Sequence, residues 1–148
     1  MDNEYFTELL KRLQLKATPR RIAVLSTLAG EQTYASPEEI WNKLKRKLDT
    51  IGLPTVYRIL EELAENGVIT KIIHPSRQLY YYYCGNEGHH HHFICVSCRK
   101  VEDLNFCASR EIEKEVSRNL KGRVLSHILQ INGLCEPCSR KQGEVNVS

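Results

Sequence analysis

The chain has 148 residues, of which 41% are hydrophobic and 26% are charged, a composition typical of a folded globular protein and not of a disordered one. Its length suits one ordinary domain or two small ones, and a small half would depend on metal or on a partner subunit for stability. The formal net charge of +3 is too small to indicate nucleic-acid binding by itself, so the distribution of charge along the chain matters more.

The first residues, MDNEYFTELLKRL, are acidic and amphipathic and lack the apolar core of a signal peptide. No run reaches the roughly 18 apolar residues that a membrane span needs. We therefore expect a cytoplasmic protein with no membrane partner. Thiols stay reduced in that compartment, so the six cysteines indicate metal binding rather than disulfides.

Apolar residues at helical spacing predict four helices in the first half of the chain, over about residues 4–14, 19–30, 37–48 and 55–66. Thr18 and Ser36 are typical N-caps, and a proline follows each of them at the first helical position. Ser36 also forms a capping box with Glu39, which reaches back to the helix start.

The hydrophobic period changes after Gly67. Val68–Ile73 and Gln78–Tyr83 are rich in β-branched and aromatic residues, and they flank a turn at His74–Arg77, which predicts a β-hairpin. Helices followed by a hairpin are the order of a winged helix-turn-helix, whose last helix enters the major groove of DNA.

Two parts of this half are candidates for DNA contact. The stretch Leu10–Ile22 has five basic residues and no acidic one, and it can contact phosphates unless it is only a solvated helix face. At the start of the fourth helix, Arg58 can pair with guanine and Tyr57 can contact a thymine methyl, unless Tyr57 packs internally and Arg58 is a plain surface charge. The candidate DNA-binding residues are Lys16, Arg20, Arg21, Thr55, Tyr57 and Arg58.

Two C-x-x-C pairs, Cys95 with Cys98 and Cys135 with Cys138, supply four thiolates in the second half. Four thiolates suit tetrahedral zinc in a closed structural site. One such pair is also compatible with a redox motif, but two pairs at this distance indicate zinc. Cys107 stands apart from both pairs, and we expect it to be a small buried hydrophobic residue.

A run of four histidines, His89–His92, leads directly into the first cysteine pair. If the run forms a strand with Phe93 and Ile94, alternate side chains point to opposite faces, so it supplies two separate metal sites. Imidazole with thiolate favours zinc, whereas imidazole with carboxylate also suits iron or manganese. The residues that can complete the two sites are Cys84, Asp103, Glu111 on the following helix and His127 on the last strand.

Three ordered motifs resemble the ferric uptake regulator family over about residues 5–140: the segment Gly52–Arg58, the histidine run leading to Cys95-x-x-Cys98, and Ser126-His127 leading to Cys135-x-x-Cys138. The resemblance implies a homodimeric repressor of α+β class, with an N-terminal winged helix-turn-helix domain followed by a small αβ dimerisation domain with a four-cysteine zinc site. It implies that Lys16 reaches the minor groove, while Tyr57 and Arg58 touch bases and backbone in the major groove. We expect the winged-helix domain at residues 1–84, the metal-binding dimerisation domain at 85–140 and a flexible tail at 141–148.

The resemblance further implies a regulatory metal site at the hinge between the domains, which maps onto His90 and His92, and to which Cys84 adds a thiolate. Zinc sensors of the family place an aspartate or histidine where this chain has Thr70, which is a poor ligand. The fourth ligand is therefore either Asp103 or His74. A second site resembles the family's set at His89, His91, Glu111 and His127, where every ligand type is present.

The residues at the regulatory site favour zinc as the effector over iron or manganese. Cys84 and Tyr34 stand where zinc sensors of the family have a cysteine and an aromatic residue. Iron and peroxide sensors instead have a histidine at the position of Tyr34 and a carboxylate at that of Tyr83 or Cys84. We expect a zinc-responsive repressor of metal-uptake or metal-homeostasis genes that binds palindromic, AT-rich double-stranded DNA. The alternative is an iron- or peroxide-responsive regulator.

Two other classes of protein fit the residues less well, and we expect no enzymatic activity. A small zinc hydrolase needs an open coordination position and a general base, and the sequence has no H-E-x-x-H or nucleophile motif. A zinc-ribbon module without a DNA role would leave both the basic stretch Leu10–Ile22 and the helix start Thr55–Arg58 unexplained.

Overall fold

The structure, a computed structural model, describes residues 3–85 and 90–142. They belong to two compact units, Met1–Glu87 and Gly88–Ser148. His89 and the part of the expected tail from residue 143 onward lie outside the described residues. Within the described ranges, no helix is long and apolar enough to cross a bilayer.

Four helices and a two-stranded sheet form the first unit: α1 (Asn3–Arg12), α2 (Pro19–Ala29), α3 (Pro37–Leu44), α4 (Leu53–Glu65), β1 (Thr70–Ile73) and β2 (Leu79–Tyr82). Both predicted N-caps are confirmed. The Thr18 hydroxyl accepts the Arg21 backbone N–H at 3.2 Å, and both hydrogen bonds of the Ser36 capping box are present. α4 begins at Leu53 rather than at the expected Thr55, because the fixed φ of Pro54 suits the first helical turn.

Apolar side chains from all four helices form one core. Its fully buried members are Phe6, Leu10, Val24, Leu25, Leu28, Leu44, Val56, Leu60 and Leu63. Burying one such side chain stabilises the fold by about 1.5–3 kcal/mol. The core continues to the end of the sheet, where the Phe6 and Tyr83 rings meet edge-on with their centroids 5.6 Å apart. This core fixes α4 against the other helices.

The sheet of the first unit is the predicted hairpin, which forms the wing. β1 and β2 are antiparallel, with Ile72 opposite Tyr80. Their turn is closed by the Arg77 N–H, which donates to the His74 carbonyl at 2.7 Å. Ala35 exchanges two backbone hydrogen bonds with Tyr81, of 2.9 and 2.8 Å, so the chain before α3 lies along the outer edge of β2.

The second unit is a three-stranded sheet with two helices: β3 (His91–Cys95), β4 (Val101–Leu104), α5 (Ser109–Asn119), β5 (Gln130–Gly133) and α6 (Glu136–Gln142). β3 is the central strand, antiparallel to β4 and parallel to β5. A Cβ on Gly133 would lie 2.9 Å from the Phe93 ring, so glycine lets β5 approach that ring closely. The prediction that His127 lies on the last strand is wrong, because β5 begins only at Gln130.

The second unit has little apolar core of its own. Its buried residues, among those that the structure describes, are His91, Ile94, Cys95, Cys135 and Cys138. α5 buries none of its side chains. A unit of this size with so small a core depends on metal or on a partner for its stability.

Candidate metal centres and nucleic-acid interface

The four cysteines of the two C-x-x-C pairs come together at one end of the second unit, as their spacing predicted. Cys95 ends β3, and Cys138 lies in the first turn of α6. The four sulfurs lie within 4.8 Å of one another, and the Sγ atoms of Cys98 and Cys135 are 3.5 Å apart. With a Zn–S bond of about 2.3 Å, sulfurs in a tetrahedral zinc site lie about 3.8 Å apart. The geometry and the chemistry of the donors therefore both fit zinc.

The cysteine cluster also has an electrostatic reason to hold a cation. Burial opposes ionisation of Cys95, but backbone hydrogen bonds from Cys135, Cys98 and Ser97 outweigh it and lower the Cys95 pKa to about 6. A backbone hydrogen bond from Lys100 favours the Cys98 thiolate, yet burial and the neighbouring sulfurs raise the Cys98 pKa to about 12. The Cys95 thiolate therefore forms readily, whereas the Cys98 thiol keeps its proton until a bound metal displaces it.

A second cluster occupies one face of β3 and β4. The Nε2 atoms of His90 and His92 are 3.0 Å apart, and Asp103 Oδ1 lies 3.7 Å from the first and 3.8 Å from the second. Asp103 stands opposite His92 in the β3–β4 register. Burial is the main reason that the pKa of His92 is lowered, and the His90 ring adds to this, while Asp103 opposes it. A neutral imidazole is the form that binds metal.

The remaining candidates for the regulatory site lie in the first unit. His74 accepts the Ser76 backbone N–H through Nδ1 at 3.0 Å, so this nitrogen is engaged in the turn of the wing. Thr70 is half-buried on β1, and Cys84 is half-buried after the end of β2. Of the two proposed fourth ligands, Asp103 is the one that lies beside the histidines.

A third cluster lies around His91, which is buried, unlike its half-buried neighbours His90 and His92. His91 Nε2 is 3.2 Å from His127 Nε2 and 3.2 Å from Cys107 Sγ. The Cys107 Sγ atom lies 3.4 Å from His127 Nε2. The prediction that Cys107 is only a buried hydrophobic residue is wrong, since its sulfur faces two imidazoles.

The other residues expected at this second site are placed differently. Glu111 is exposed in the first turn of α5, and among the described residues it belongs to none of the groups whose ligand atoms lie within 4.8 Å. His89 is outside the described residues. No sequence signal marked Cys107, which lies four residues before Glu111 and belongs to no spaced motif.

The start of α4 presents the expected recognition residues at the surface. Tyr57 is 40% exposed and Arg58 is exposed, while Thr55 is half-buried. The Tyr57 hydroxyl donates to the Glu38 carboxylate of α3 at 2.5 Å. That hydrogen bond is the main reason that the Tyr57 pKa is raised. The tyrosine is thus oriented by α3 and does not pack into the core.

The basic stretch is tied to α4 through Arg21. Its guanidinium donates to Glu62 at 2.6 Å and to the Lys16 carbonyl at 3.0 Å. Lys16 and Arg20 are exposed. The charge of Arg21 is therefore balanced within the unit, where it fixes the position of Lys16 relative to α4. The sequence did not reveal this pairing, because Arg21 and Glu62 are distant along the chain.

Comparison with known proteins gives a consistent result. A model of the ferric uptake regulator family matches residues 12–132. The ferric uptake regulation protein of Bacillus subtilis (strain 168) is 33% identical over 132 residues, which cover 87% of this chain and 89% of that protein. The peroxide operon regulator of the same organism is 27% identical over 135 residues, covering 91% and 92%. A zinc uptake regulator solved in complex with zinc and DNA has a TM-score of 0.76 at 21% identity, covering 95% of this chain and 94% of that one, and so shares the fold.

Proposed function

The chain belongs to the ferric uptake regulator family, and from this premise we propose that it is a zinc-responsive, DNA-binding repressor of metal-uptake or metal-homeostasis genes. The observation that carries the proposal is that one strand, β3, brings metal ligands to two clusters besides the four-cysteine site. A purely structural zinc protein needs only the cysteine site. The additional clusters supply what a metal-responsive regulator requires.

We infer that α4 enters the major groove of double-stranded DNA. Its exposed residues Tyr57 and Arg58 lie at the N-terminal end, where a recognition helix contacts base edges. Lys16 and Arg20 add positive charge beside it, and Arg21 positions that segment through Glu62 rather than by meeting DNA directly. A palindromic operator matches the two-fold symmetry of a dimer, and we propose that this operator is AT-rich.

The partner of the second unit in this proposal is a second copy of the chain. Exposed apolar side chains are concentrated there: Phe106 is 68% exposed, Leu120 70%, Leu125 84% and Ile128 96%. Apolar side chains this exposed in so small a unit are typical of a surface that another protein covers. α5 presents Ile112, which is 44% exposed, and buries no side chain within its own unit. Homodimerisation gives both the surface and the helix a packing partner.

The proposed regulatory site consists of Cys84, His90, His92 and Asp103. Three of these are neighbours in the second unit, and Cys84 is only six residues before His90 along the chain. Two imidazoles with a thiolate and a carboxylate make a tetrahedral set that suits zinc. Metal held by residues from both sides of the segment Gly85–Gly88 would restrict the directions that the winged domains can take. The repressor then binds DNA only when that restriction matches the spacing of successive major grooves.

An iron-responsive regulator is the second candidate, because His90, His92 and Asp103 alone offer nitrogen and oxygen ligands that iron or manganese accepts. Zinc binds more tightly than iron or manganese to almost any site of this kind. A comparison of affinities between metals therefore does not identify the effector. The informative quantity is how strongly the affinity for each metal depends on the Cys84 thiolate.

The test uses the full-length protein with its structural zinc in place. A duplex selected from a random pool is titrated at buffered free Zn²⁺, Fe²⁺ or Mn²⁺, and binding is followed by fluorescence anisotropy. We expect zinc to restore binding to the chelated protein. Cys84→Ser should raise the free zinc needed for half-maximal binding by at least about tenfold, because even outer-sphere partners of metal ligands contribute that much. The Fe²⁺ and Mn²⁺ responses should change little.

Cys95→Ser is the control for the structural site, and we expect it to lose the bound zinc and the dimer. Equal loss in the Cys84→Ser and Cys95→Ser proteins would contradict the division into regulatory and structural sites. A chelated wild-type protein that binds the duplex as tightly as the zinc-loaded one would refute metal dependence itself. A Cys84→Ser protein with an unchanged zinc response would favour the iron-responsive alternative.

A further inference from the structure

We propose that Cys107 is a ligand of the second metal site, where its thiolate binds zinc together with the imidazoles of His91 and His127. This proposal does not rest on DNA binding or on the identity of the effector metal. The family resemblance implies a carboxylate at this place, whereas the structure puts a thiol there. The change of ligand alters which metals the site prefers.

The distances within the trio match those of a coordination sphere. With zinc bonds of about 2.0–2.1 Å to nitrogen and about 2.3 Å to sulfur, a tetrahedral site separates two nitrogens by about 3.4 Å and a nitrogen from a sulfur by about 3.6 Å. The observed N–N distance between the two imidazoles is 3.2 Å. The two N–S distances are 3.2 and 3.4 Å. All three edges of one tetrahedral face are therefore close to their expected lengths.

The same agreement is seen in the four-cysteine cluster, which supports this interpretation. There the Cys98–Cys135 sulfur distance is 3.5 Å, against about 3.8 Å for two sulfurs bound to one zinc. The Cys98–Cys135 pair and the His91–Cys107–His127 trio both lie slightly closer together than their atoms would around an ion. Three protein ligands leave the fourth corner of the second site to a water molecule or a further side chain.

Three separate segments supply the ligands. His91 is on the central strand β3, Cys107 lies in the connection between β4 and α5, and His127 precedes β5. Two of these segments also carry exposed apolar residues, since Phe106 is next to Cys107 and Ile128 is next to His127. A metal bound here would fix both segments to the strand and hold those apolar side chains in place for a partner surface.

The thiolate decides the chemical class of the metal. A site of two histidines and one glutamate accepts manganese and iron as well as zinc, whereas a thiolate shifts the preference toward zinc and other soft or borderline ions. Cys107 loses its proton to solvent when the metal binds, so an alkylating reagent competes with the metal for the sulfur.

The test uses Co²⁺ as a spectroscopic probe in the full-length Cys84→Ser protein with zinc retained in the four-cysteine site. In this background, Cys107 is the remaining cysteine that can give a sulfur-to-cobalt charge-transfer band in the near ultraviolet. We expect that band to appear on addition of Co²⁺ and to be lost in Cys84→Ser/Cys107→Ser. The dissociation constant of the site should then rise by at least about tenfold.

Glu111→Gln in the same background is the matched control, and it should keep the charge-transfer band. Retention of one zinc per chain and an unchanged circular dichroism spectrum show that each variant is folded. Zinc should also protect Cys107 from maleimide in the wild-type chain, and His127→Ala should remove that protection. A Cys107→Ser protein that binds Co²⁺ with unchanged affinity, or a background protein with no charge-transfer band, would overturn the proposal. Neither result depends on whether the protein binds DNA.

Discussion

Arg58 and Lys16 are exposed basic side chains of the first unit, and they differ in what they can contact on a duplex. Arg58 lies on α4, the proposed recognition helix, from which a guanidinium can pair with guanine through two hydrogen bonds. Arg58→Ala should therefore lower the preference for the operator over random duplex by about 1–3 kcal/mol. Lys16→Ala should weaken binding to all duplexes evenly and reduce the salt slope by about one. Competition titrations at several salt concentrations measure both effects.

Arg110→Ala is a suitable control for these two substitutions, because Arg110 is an exposed arginine on α5 in the second unit. It removes the same charge as Arg58→Ala from a place that should not meet DNA. If Arg58→Ala kept full sequence discrimination, a role in base recognition would be excluded. An Arg110→Ala protein that lost as much discrimination would point to a general charge effect.

Single residues were predictable where their role follows from local geometry. The separation of His91 from His90 and His92 follows from strand alternation, which places successive side chains on opposite faces. The partnership of His91 with Cys107 was not predictable, because it depends on the course of the connection between β4 and α5. Contacts between such distant segments are set by tertiary packing, which one sequence does not reveal.

Whole elements show the same contrast between features set by local sequence and features set by tertiary packing. The starts of α2 and α3 were predicted because N-cap residues and prolines act on the helix that they precede. The pairing of Ala35 with Tyr81 was not predicted, since a bridge of one residue leaves no period in the sequence. The short strand β5 was also misplaced relative to His127, because four residues give only a weak signal.

The link between α4 and the wing depends on Glu61, and it should be sensitive to pH. Glu61 accepts hydrogen bonds from Lys71 of β1, at 2.8 Å, and from the Tyr81 hydroxyl of β2. The Lys71 bond is the largest cause of the lowered Glu61 pKa, followed by the Tyr81 bond. Because the folded-state pKa is below the usual value of 4.5, this stabilisation is complete above that value and is lost as the pH falls through the folded-state pKa.

Glu61→Gln should accordingly lower the free energy of unfolding at neutral pH and have a smaller effect in acid. The ion pair is partly exposed, with side-chain exposures of 35% and 39%, so solvent screening limits the expected loss to about 0.2–1 kcal/mol. Trp41 is the single tryptophan and lies on α3, so its fluorescence reports unfolding of the first unit. Urea titrations of the wild type and the variant at pH 7 and about pH 4 give the free energy of unfolding in each condition. Glu65→Gln, an exposed substitution on the same helix, is the control. An equal loss at both pH values would show that the carboxylate charge is not involved.

At the scale of the whole molecule, the two units differ in how they obtain stability. The first has an apolar core drawn from four helices, whereas the second, over the residues that the structure describes, buries only five side chains, three of them cysteines. The second unit should therefore unfold when its zinc is removed, while the first should not.

This division was readable from the sequence, because the helical apolar pattern ends where the cysteines and histidines begin. The sequence favours zinc but does not settle the effector metal, since the chain is similar to curated regulators with different names and shares its fold with a zinc uptake regulator.

If the regulatory metal and DNA select the same arrangement of the two winged domains, each must strengthen binding of the other by the same factor. Moving an equilibrium between open and closed forms from 1:99 to 99:1 requires about 5.5 kcal/mol of preference for the closed form. Every tenfold gain in DNA affinity on zinc binding should appear as a tenfold gain in zinc affinity on DNA binding, or about 1.4 kcal/mol in each direction. Competition with a chromophoric chelator, with and without saturating operator duplex, measures the second quantity. A random duplex at equal occupancy should increase the zinc affinity less. His92→Ala should abolish the coupling while leaving zinc bound at the four-cysteine site. Zinc affinity that is the same with and without operator would exclude a metal-controlled arrangement, whatever the strength of DNA binding.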